Sequence, residues 1–328
     1  MKKYIYFNLI CLISLSMMIT SCNDDDYSIP TAGTQLQNDC IKRSLGPNVV
    51  GLNIEFAYAM ALNENEGNIV SAQVEASIAG ASGTYLEHRS YYTDNSGLDV
   101  GVVVGSPSVT TGTKTEVTFV KDTCAATLRY YYYIPEEASG KEVSFKFSAT
   151  DSNGNTISYN MGPYTISKME IKRDIVLSDN ENMYLSIADL ATMNADAATS
   201  NPSKVDLVYL YRSYSSVNFA HALVSPANSE YLTDITLPSE VNNNSPLWKV
   251  EDLQDRQLSD LQYGIYVDDV DFTDMDFTNA PNYAINIKAE TGIWVETADK
   301  TYRAYIFVNS VDATTKSMTI SIKRYKMK

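Results

Sequence analysis

The sequence predicts a mainly β protein: a β-sandwich, then a β-rich α+β domain with about two short helices. Three observations carry that reading. From residue 49 to residue 167, short runs of alternating apolar and polar residues follow one another, each closed by Gly, Asn, Asp or Ser. That spacing is the signature of a two-sheet sandwich. Within one such run Val143, Phe145 and Phe147 alternate with Ser144, Lys146 and Ser148, which gives the strand one apolar and one polar face. In the second half, further strand runs are interrupted by two segments with helix-start signals.

Taken in order, the chain opens on Lys2 and Lys3, followed by a mostly apolar run from Ile5 to Ile19. The run is shorter than the ~20 residues a membrane-spanning helix needs. A basic start, a short apolar core and small closing residues describe a secretory signal peptide over residues 1–21. Its end, Ile19-Thr20-Ser21-Cys22, resembles a bacterial lipobox. The resemblance implies that Cys22 is acylated and anchors the protein, with two or more chains giving stable attachment. Asn23 with Asp24, Asp25 and Asp26 resembles the acidic export signal of Bacteroidetes-type lipoproteins. That implies an address on the outer face of the outer membrane. Residues 22–44 are polar and carry no apolar period, so they read as a tether.

The first domain spans 45–168. Its runs are VVGLNIEFAYAMAL, NIVSAQVEASIAG, TYLEHRSYYT, LDVGVVVG, KTEVTFV, TLRYYYYI, KEVSFKFSAT and TISYNMGPYTIS, with NENEGN, DNSG and DSNGN among the turns. The charged stretch SKMEIKRD marks the boundary. The second domain spans 169–328. MYLSI and KVDLVYLYR read as strands, the latter nearly continuous in apolar residues and therefore central. Asn194 to Ala198 is helix-prone and must stop before Pro202. Ser245 and Pro246 suit an N-cap and first helical position for PLWKVEDLQDRQLSDLQ. Leu247, Val250, Leu258 and Leu261 would share one face there. QYGIYV, YAINIKA, GIWVET, YRAYIFVNSV and SMTISIKRY return to strand, the last two forming a hairpin across DATTK.

VSFKFSATDSNGNTISYNMGPYTI resembles the last strands of immunoglobulin-like domains in bacterial surface proteins. The order of MYLSI, KVDLVYLY, ALVSPA, AYIFVNSV and MTISIKRY behind it resembles an uncharacterised family of Bacteroidetes surface lipoproteins. In context these are similar to the starch-utilisation-system surface glycan-binding lipoproteins. The resemblance implies a lipid-anchored outer-membrane protein beside a polysaccharide transporter. It carries no functional residue across, because its motifs are strand cores.

Composition excludes some classes. The chain has 25 basic and 40 acidic residues, a net charge of −15, and so repels phosphate backbones, which argues against nucleic-acid partners. Beyond Cys22, Cys40 and Cys124 remain. They either pair, closing a long loop worth roughly 4–5 kcal/mol on the chain-entropy model, or stay separate thiols. No nucleophile elbow, zinc-binding helix, C-x-x-C pair or phosphate loop occurs. His88 and His221 lie in strand-like runs and read as structural. The acidic run Asp268, Asp269, Asp271, Asp274 and Asp276 lacks the pattern of a calcium loop and reads as a solvated edge or loop. The expectation is a non-enzyme with no cofactor and no metal.

Aromatics are the remaining signal: 24 Tyr against 9 Phe and 2 Trp. In Leu128-Arg129-Tyr130-Tyr131-Tyr132-Tyr133 the period of two puts Tyr130 and Tyr132 with Leu128, facing inward, and Tyr131 and Tyr133 with Arg129, facing out. Exposed aromatic rings suit sugars, stacking on the C–H face while a hydroxyl meets the edge. Tyr131, Tyr133, Trp248 and Trp294 are the candidate stacking residues, and Tyr91, Tyr92, Tyr209, Tyr211 and Tyr214 are further ones. The expected function is glycan binding for an outer-membrane transporter, and the alternative is a structural or adhesive lipoprotein that binds a protein partner.

Overall fold

The structure, a computed structural model, describes residues 33–213, 218–251, 253–259 and 264–328. The signal segment, Cys22, Asp24, Asp25, Asp26 and Tyr214 lie outside the described residues. The protein is mainly β, with few and short helices.

The first domain contains β1 (Gln37–Lys42), β2 (Asn53–Ala61), β3 (Ile69–Ala76), β4 (Tyr85–Leu86), β5 (Arg89–Thr93), β6 (Asp99–Val103), β7 (Val109–Thr111), β8 (Lys114–Thr118), β9 (Ala125–Tyr133), β10 (Glu142–Asp151) and β11 (Thr156–Thr165). Two antiparallel sheets, ordered β1-β2-β9-β4 and β11-β10-β3-β8-β7, enclose one core, and β5 and β6 form a separate ribbon. Alternation decides each buried face. Ile54, Phe56, Tyr58 and Met60 of β2 point inward, as do Leu128, Tyr130 and Tyr132 of β9. They meet Val143, Phe145 and Phe147 of β10, with the Phe56 ring 4.8 Å from Phe145 and Tyr132 4.9 Å from the same ring. Such tilted and edge-on aromatic contacts add to the burial of the rings themselves. The β10–β11 turn is closed by Asp151, whose carboxylate accepts from the backbone N–H groups of Asn153 (2.9 Å) and Asn155 (2.8 Å). Gly154 supplies the positive φ of 83° there.

The segment expected to be tether departs from that reading. Residues 37–42 form β1, paired along its length with β2, from Gln37 opposite Ala61 to Lys42 opposite Phe56. Within β1 only Cys40 is buried, too little apolar signal to betray an edge strand. The same residue corrects the disulfide alternative. Cys40 and Cys124 are both free thiols. Cys40 lies under the sheet opposite Tyr58, while Cys124 points at the Gly67 carbonyl, 3.7 Å away.

The second domain contains β12 (Glu170–Ser178), β13 (Tyr184–Ser186), β14 (Ala191–Met193), α1 (Ala195–Ser200), β15 (Leu207–Arg212), β16 (Ala220–Val224), β17 (Leu247–Val250), α2 (Asp269–Asp274), β18 (Tyr283–Ile287), β19 (Gly292–Glu296), β20 (Tyr302–Asp312) and β21 (Ser317–Lys326). Two further antiparallel sheets, ordered β12-β21-β20-β19-β17 and β14-β13-β15-β16-β18, share a core of Leu177, Leu207, Leu223, Ile293, Ile306 and Ile320. The nearly continuous apolar run of β15 is central in its sheet, as both of its faces demand. Asn194 caps α1 by accepting from the Ala197 N–H at 2.9 Å, and the helix ends before Pro202.

Four segments of the second domain differ from expectation. SKMEIKRD is not only a boundary: residues 170–178 form β12, an edge strand paired with β21. Its exposed charges suit an edge. Among the described residues the helix expected from Pro246 onward does not form, and Leu261 of its expected stripe lies outside them. Leu247–Val250 is β17, with Trp248 opposite Trp294, and Asp255 organises the residues after it. Asp255 and Lys323 are both fully buried and paired at 2.6 Å. The same carboxylate accepts from Gln257 N–H (2.8 Å) and Val267 N–H (2.7 Å). The second helix is instead in the acidic run. Asp268 accepts from Val270 N–H (2.9 Å) and Asp271 N–H (3.2 Å), and Asp271 returns the bond to Asp268 N–H (2.9 Å). This reciprocal cap satisfies the free donors of the first turn. Of the expected strand QYGIYV, residues 264–267 are described and form no strand; Ile265 makes one isolated bridge, to Asp255.

A third cluster joins the domains. Val49, ahead of β2, packs with Met169, Leu258, Phe272, Trp294, Tyr305 and Phe307. The Gln257 side chain donates to the Pro47 carbonyl at 2.9 Å, and Ser167 donates to Asp269.

Candidate functional site

The outward face of the β1-β2-β9-β4 sheet carries a row of side chains set by strand register. Glu55 of β2 stands opposite Tyr131 of β9, which stands opposite Tyr85 of β4. Three adjacent strands therefore place a carboxylate and two phenol rings in one line. The Tyr85 and Tyr131 rings are stacked, with centroids 4.8 Å apart and planes 15° from parallel. Tyr133, two residues along β9, shares the face. Gly83, at a φ of 97°, turns the chain against the Tyr133 ring, which a Cβ there would meet at 3.5 Å.

The β5–β6 ribbon flanks the row. Ser90 accepts from the Thr127 N–H at 3.0 Å. Arg129 lies over the Tyr91 ring, 3.9 Å from its centroid, and donates to the Asp99 carboxylate. Cation–π stacking and a charge-assisted bond together fix that guanidinium. Its hydrogen bond, and then its positive charge, hold the Asp99 carboxyl below the usual range. Burial, then Tyr131 and Glu87, pushes the Tyr85 phenol up to about 12. Burial and Glu55 move Tyr131 the same way. Both phenols stay protonated at neutral pH and remain hydrogen-bond donors. The result is an aromatic platform with polar rims, half-exposed at Tyr131 and Tyr133 and exposed at Tyr85.

The other residues singled out in the sequence fall elsewhere. Trp294 is 5% exposed, packed 5.2 Å from Phe272 and 4.9 Å from Tyr305. It cannot stack on a ligand, because α2 and the first domain cover its face. Trp248 is half-buried beside it, its indole N–H donating to the Asp276 carbonyl at 3.1 Å. Tyr209 is buried and hydrogen-bonded to His221 at 2.8 Å. Burial lowers the His221 pKa, so that imidazole is a neutral core group. His88 lies 3.1 Å from Glu87. Tyr92 is exposed on the far side of the ribbon from Tyr91. The sequence reading missed Tyr85 and Glu55, whose importance rests on register across three strands. The alternation in TYLEHRSYY could have flagged Tyr85, but nothing local ties it to Tyr131.

Among the described residues no group of His, Cys, Asp and Glu is arranged to hold a metal, and no helix is long and apolar enough to cross a membrane. The domain of unknown function DUF4466 matches residues 33–166, and the domain of unknown function DUF8576 matches 167–327. No curated protein compared with the chain matches it. Among solved structures, a DUF4466 family protein from Parabacteroides merdae is similar at 47% identity and a TM-score of 0.83, covering 90% of this chain and 99% of its own. The major pilin subunit of Bacillus cereus aligns at 12% identity over 87% of this chain and 66% of its own, with a TM-score of 0.28, too low to carry an argument. By its likeness to the Parabacteroides protein, the chain belongs to the DUF4466 family.

Proposed function

We propose that the protein is a non-catalytic lipoprotein, anchored through Cys22 on the outer face of the outer membrane, that binds glycan on the tyrosine platform for delivery to a transporter. The observation that supports glycan binding is the parallel Tyr85–Tyr131 pair beside Tyr133 and Glu55. A sugar lays its C–H face on a ring while hydroxyls at its edge donate to a carboxylate and accept from phenols. ITSC and the aspartates behind it support the anchor and the address. A glycan array probed with the purified full chain tests the binding. Tyr131→Ala and Tyr85→Ala should each cost on the order of 1 kcal/mol of binding, several-fold in affinity, with little change in Tm. An array without a single bound glycan, or binding untouched by both substitutions, rejects the reading.

A protein partner is the second reading. Tyr92, Leu98 and Val102 are exposed together on the β5–β6 ribbon, and clustered apolar exposure favours docking. The platform has the stronger support, because its rings are few, convergent and rimmed by polar groups.

A further inference from the structure

The platform lies wholly on the first domain. The second domain holds a concavity of its own, a cleft of 660 Å³ beside the β19–β20 turn. Glu296 closes β19 and stands opposite Arg303 of β20. Arg303 Nε donates to Glu296 Oε2 at 3.0 Å, and its Nη1 donates to the carbonyls of Phe272 (2.7 Å) and Thr273 (3.1 Å) at the end of α2. The guanidinium also sits 5.3 Å from the Phe277 ring centroid. Carboxylate, guanidinium and ring are thus one fixed wall.

One atom of that wall is left over. Glu296 is 6% exposed, yet its Oε1 receives no hydrogen bond from the described residues. Lys300 approaches it only to 3.9 Å, beyond hydrogen-bond reach, on a side chain that is 70% exposed. Glu296 lines the cleft, so the donor this acceptor lacks within the protein comes from water or from a ligand there. Across the cleft, Asn244 accepts from the Asn282 amide at 2.9 Å, which leaves its own NH₂ group to donate. Asp276 adds a second acceptor, one oxygen of which takes the Thr278 N–H at 2.8 Å.

We infer that this cleft is a second binding site and that it takes an uncharged, hydroxyl-rich ligand such as a short oligosaccharide. A ligand hydroxyl donates to Glu296 Oε1, a neighbouring one accepts from Asn244, and the C–H face rests on Phe277. Charge selects against ions. Arg303 already neutralises Glu296, so the wall offers a hydrogen bond and no net charge. Asp276 and Lys300 oppose each other in sign, and the Lys328 ammonium is held by the Asp299 carbonyl at 3.0 Å, so no single ion gains from the whole lining. A hydroxyl both donates and accepts, which matches acceptors and donors set side by side. The cleft owes nothing to the platform, and each can fail alone.

Hydrogen exchange of the full chain, read by mass spectrometry, separates the two sites. Maltohexaose, xylohexaose and mannohexaose are the probes. At least one should slow exchange over residues 275–278 and 292–303, and Tyr131→Ala should leave that protection intact. Asn244→Ala removes one donor at an exposed position and should weaken the probe about fivefold, the worth of one hydrogen bond. Thr278→Trp fills the cleft from an exposed loop without touching a core and should abolish the protection. Protection confined to β9, or none with any of the three sugars, overturns the second site. Tighter binding of trigalacturonate or of diaminobutane than of every neutral sugar overturns the ligand class.

Discussion

Asp206 shows how one residue can make stability depend on pH. It lies just ahead of β15, is buried, and accepts from the Ile187 N–H at 2.7 Å. Burial pushes its carboxyl up to about 7, and Asp299 adds repulsion against the backbone bonds that oppose the shift. An unfolded aspartate ionises near pH ~4. Between there and neutrality the unfolded chain gives up a proton that the folded chain keeps. The contribution of this group is full below pH ~4 and is lost as pH rises through about 7. Asp206→Asn removes the titration but keeps an acceptor. Above pH 7 the variant should be more stable than wild type by on the order of 1–3 kcal/mol, and its stability should fall less between pH 4 and 7. Urea midpoints at pH 5 and pH 8 measure this, and parallel curves for the two proteins would contradict it.

At the scale of elements, α2 shows local chemistry serving a distant surface. Its six residues make a weak helix by length alone, and the Asp268–Asp271 cap is what starts it. Phe272 then lies against Trp294 and covers the outer face of β19. Asp268→Ala should cost about 1 kcal/mol, and Asp268→Asn much less, because asparagine still accepts at an N-cap. Chemical denaturation of the three proteins distinguishes these outcomes, and equal losses for Ala and Asn would mean the cap is not the cause. The strands β2, β9, β10 and β21 were legible from alternation of apolar and polar residues, and β20 from a nearly continuous apolar run buried on both faces. β17 was not legible. Leu247, Val250 and Leu258 fit a helical stripe equally well, and only pairing with β19 makes Leu247–Val250 extended. The acidic run was misread for the converse reason: an Asp-rich segment looks solvated until its carboxylates are seen capping its own backbone.

At the scale of the whole molecule, the two domains each own a core, and a third cluster binds them together. Val49 is fully buried in that shared cluster, against Met169, Trp294 and Tyr305. Coupling through it should make the wild type melt in one calorimetric transition. Val49→Asp places an unpaired charge there, at a cost of several kcal/mol, without entering either domain core. The expected result is two transitions, one per domain. A single transition at the wild-type temperature would show that the cluster does not couple the domains.

What the sequence determined by itself was whatever depends on neighbours along the chain. Alternation assigned Tyr130 and Tyr132 inward and Tyr131 and Tyr133 outward, since a strand turns successive side chains to opposite faces whatever it pairs with. Asp151 with Gly154, Asn194 ahead of α1 and the DATTK hairpin likewise follow from turn and cap chemistry within a few residues. Tertiary structure alone decided what lies over each face. Trp294 alternates like an exposed strand residue, but α2 and Val49 cover it. Tyr85 and Glu55 join Tyr131 only because β4 and β2 flank β9 in register. Glu296 and Asn244 share a cleft only because β19 and the approach to β17 meet there. Local pattern says which way a side chain points. The long-range pairing of strands, driven by burial of apolar faces, says what it will meet.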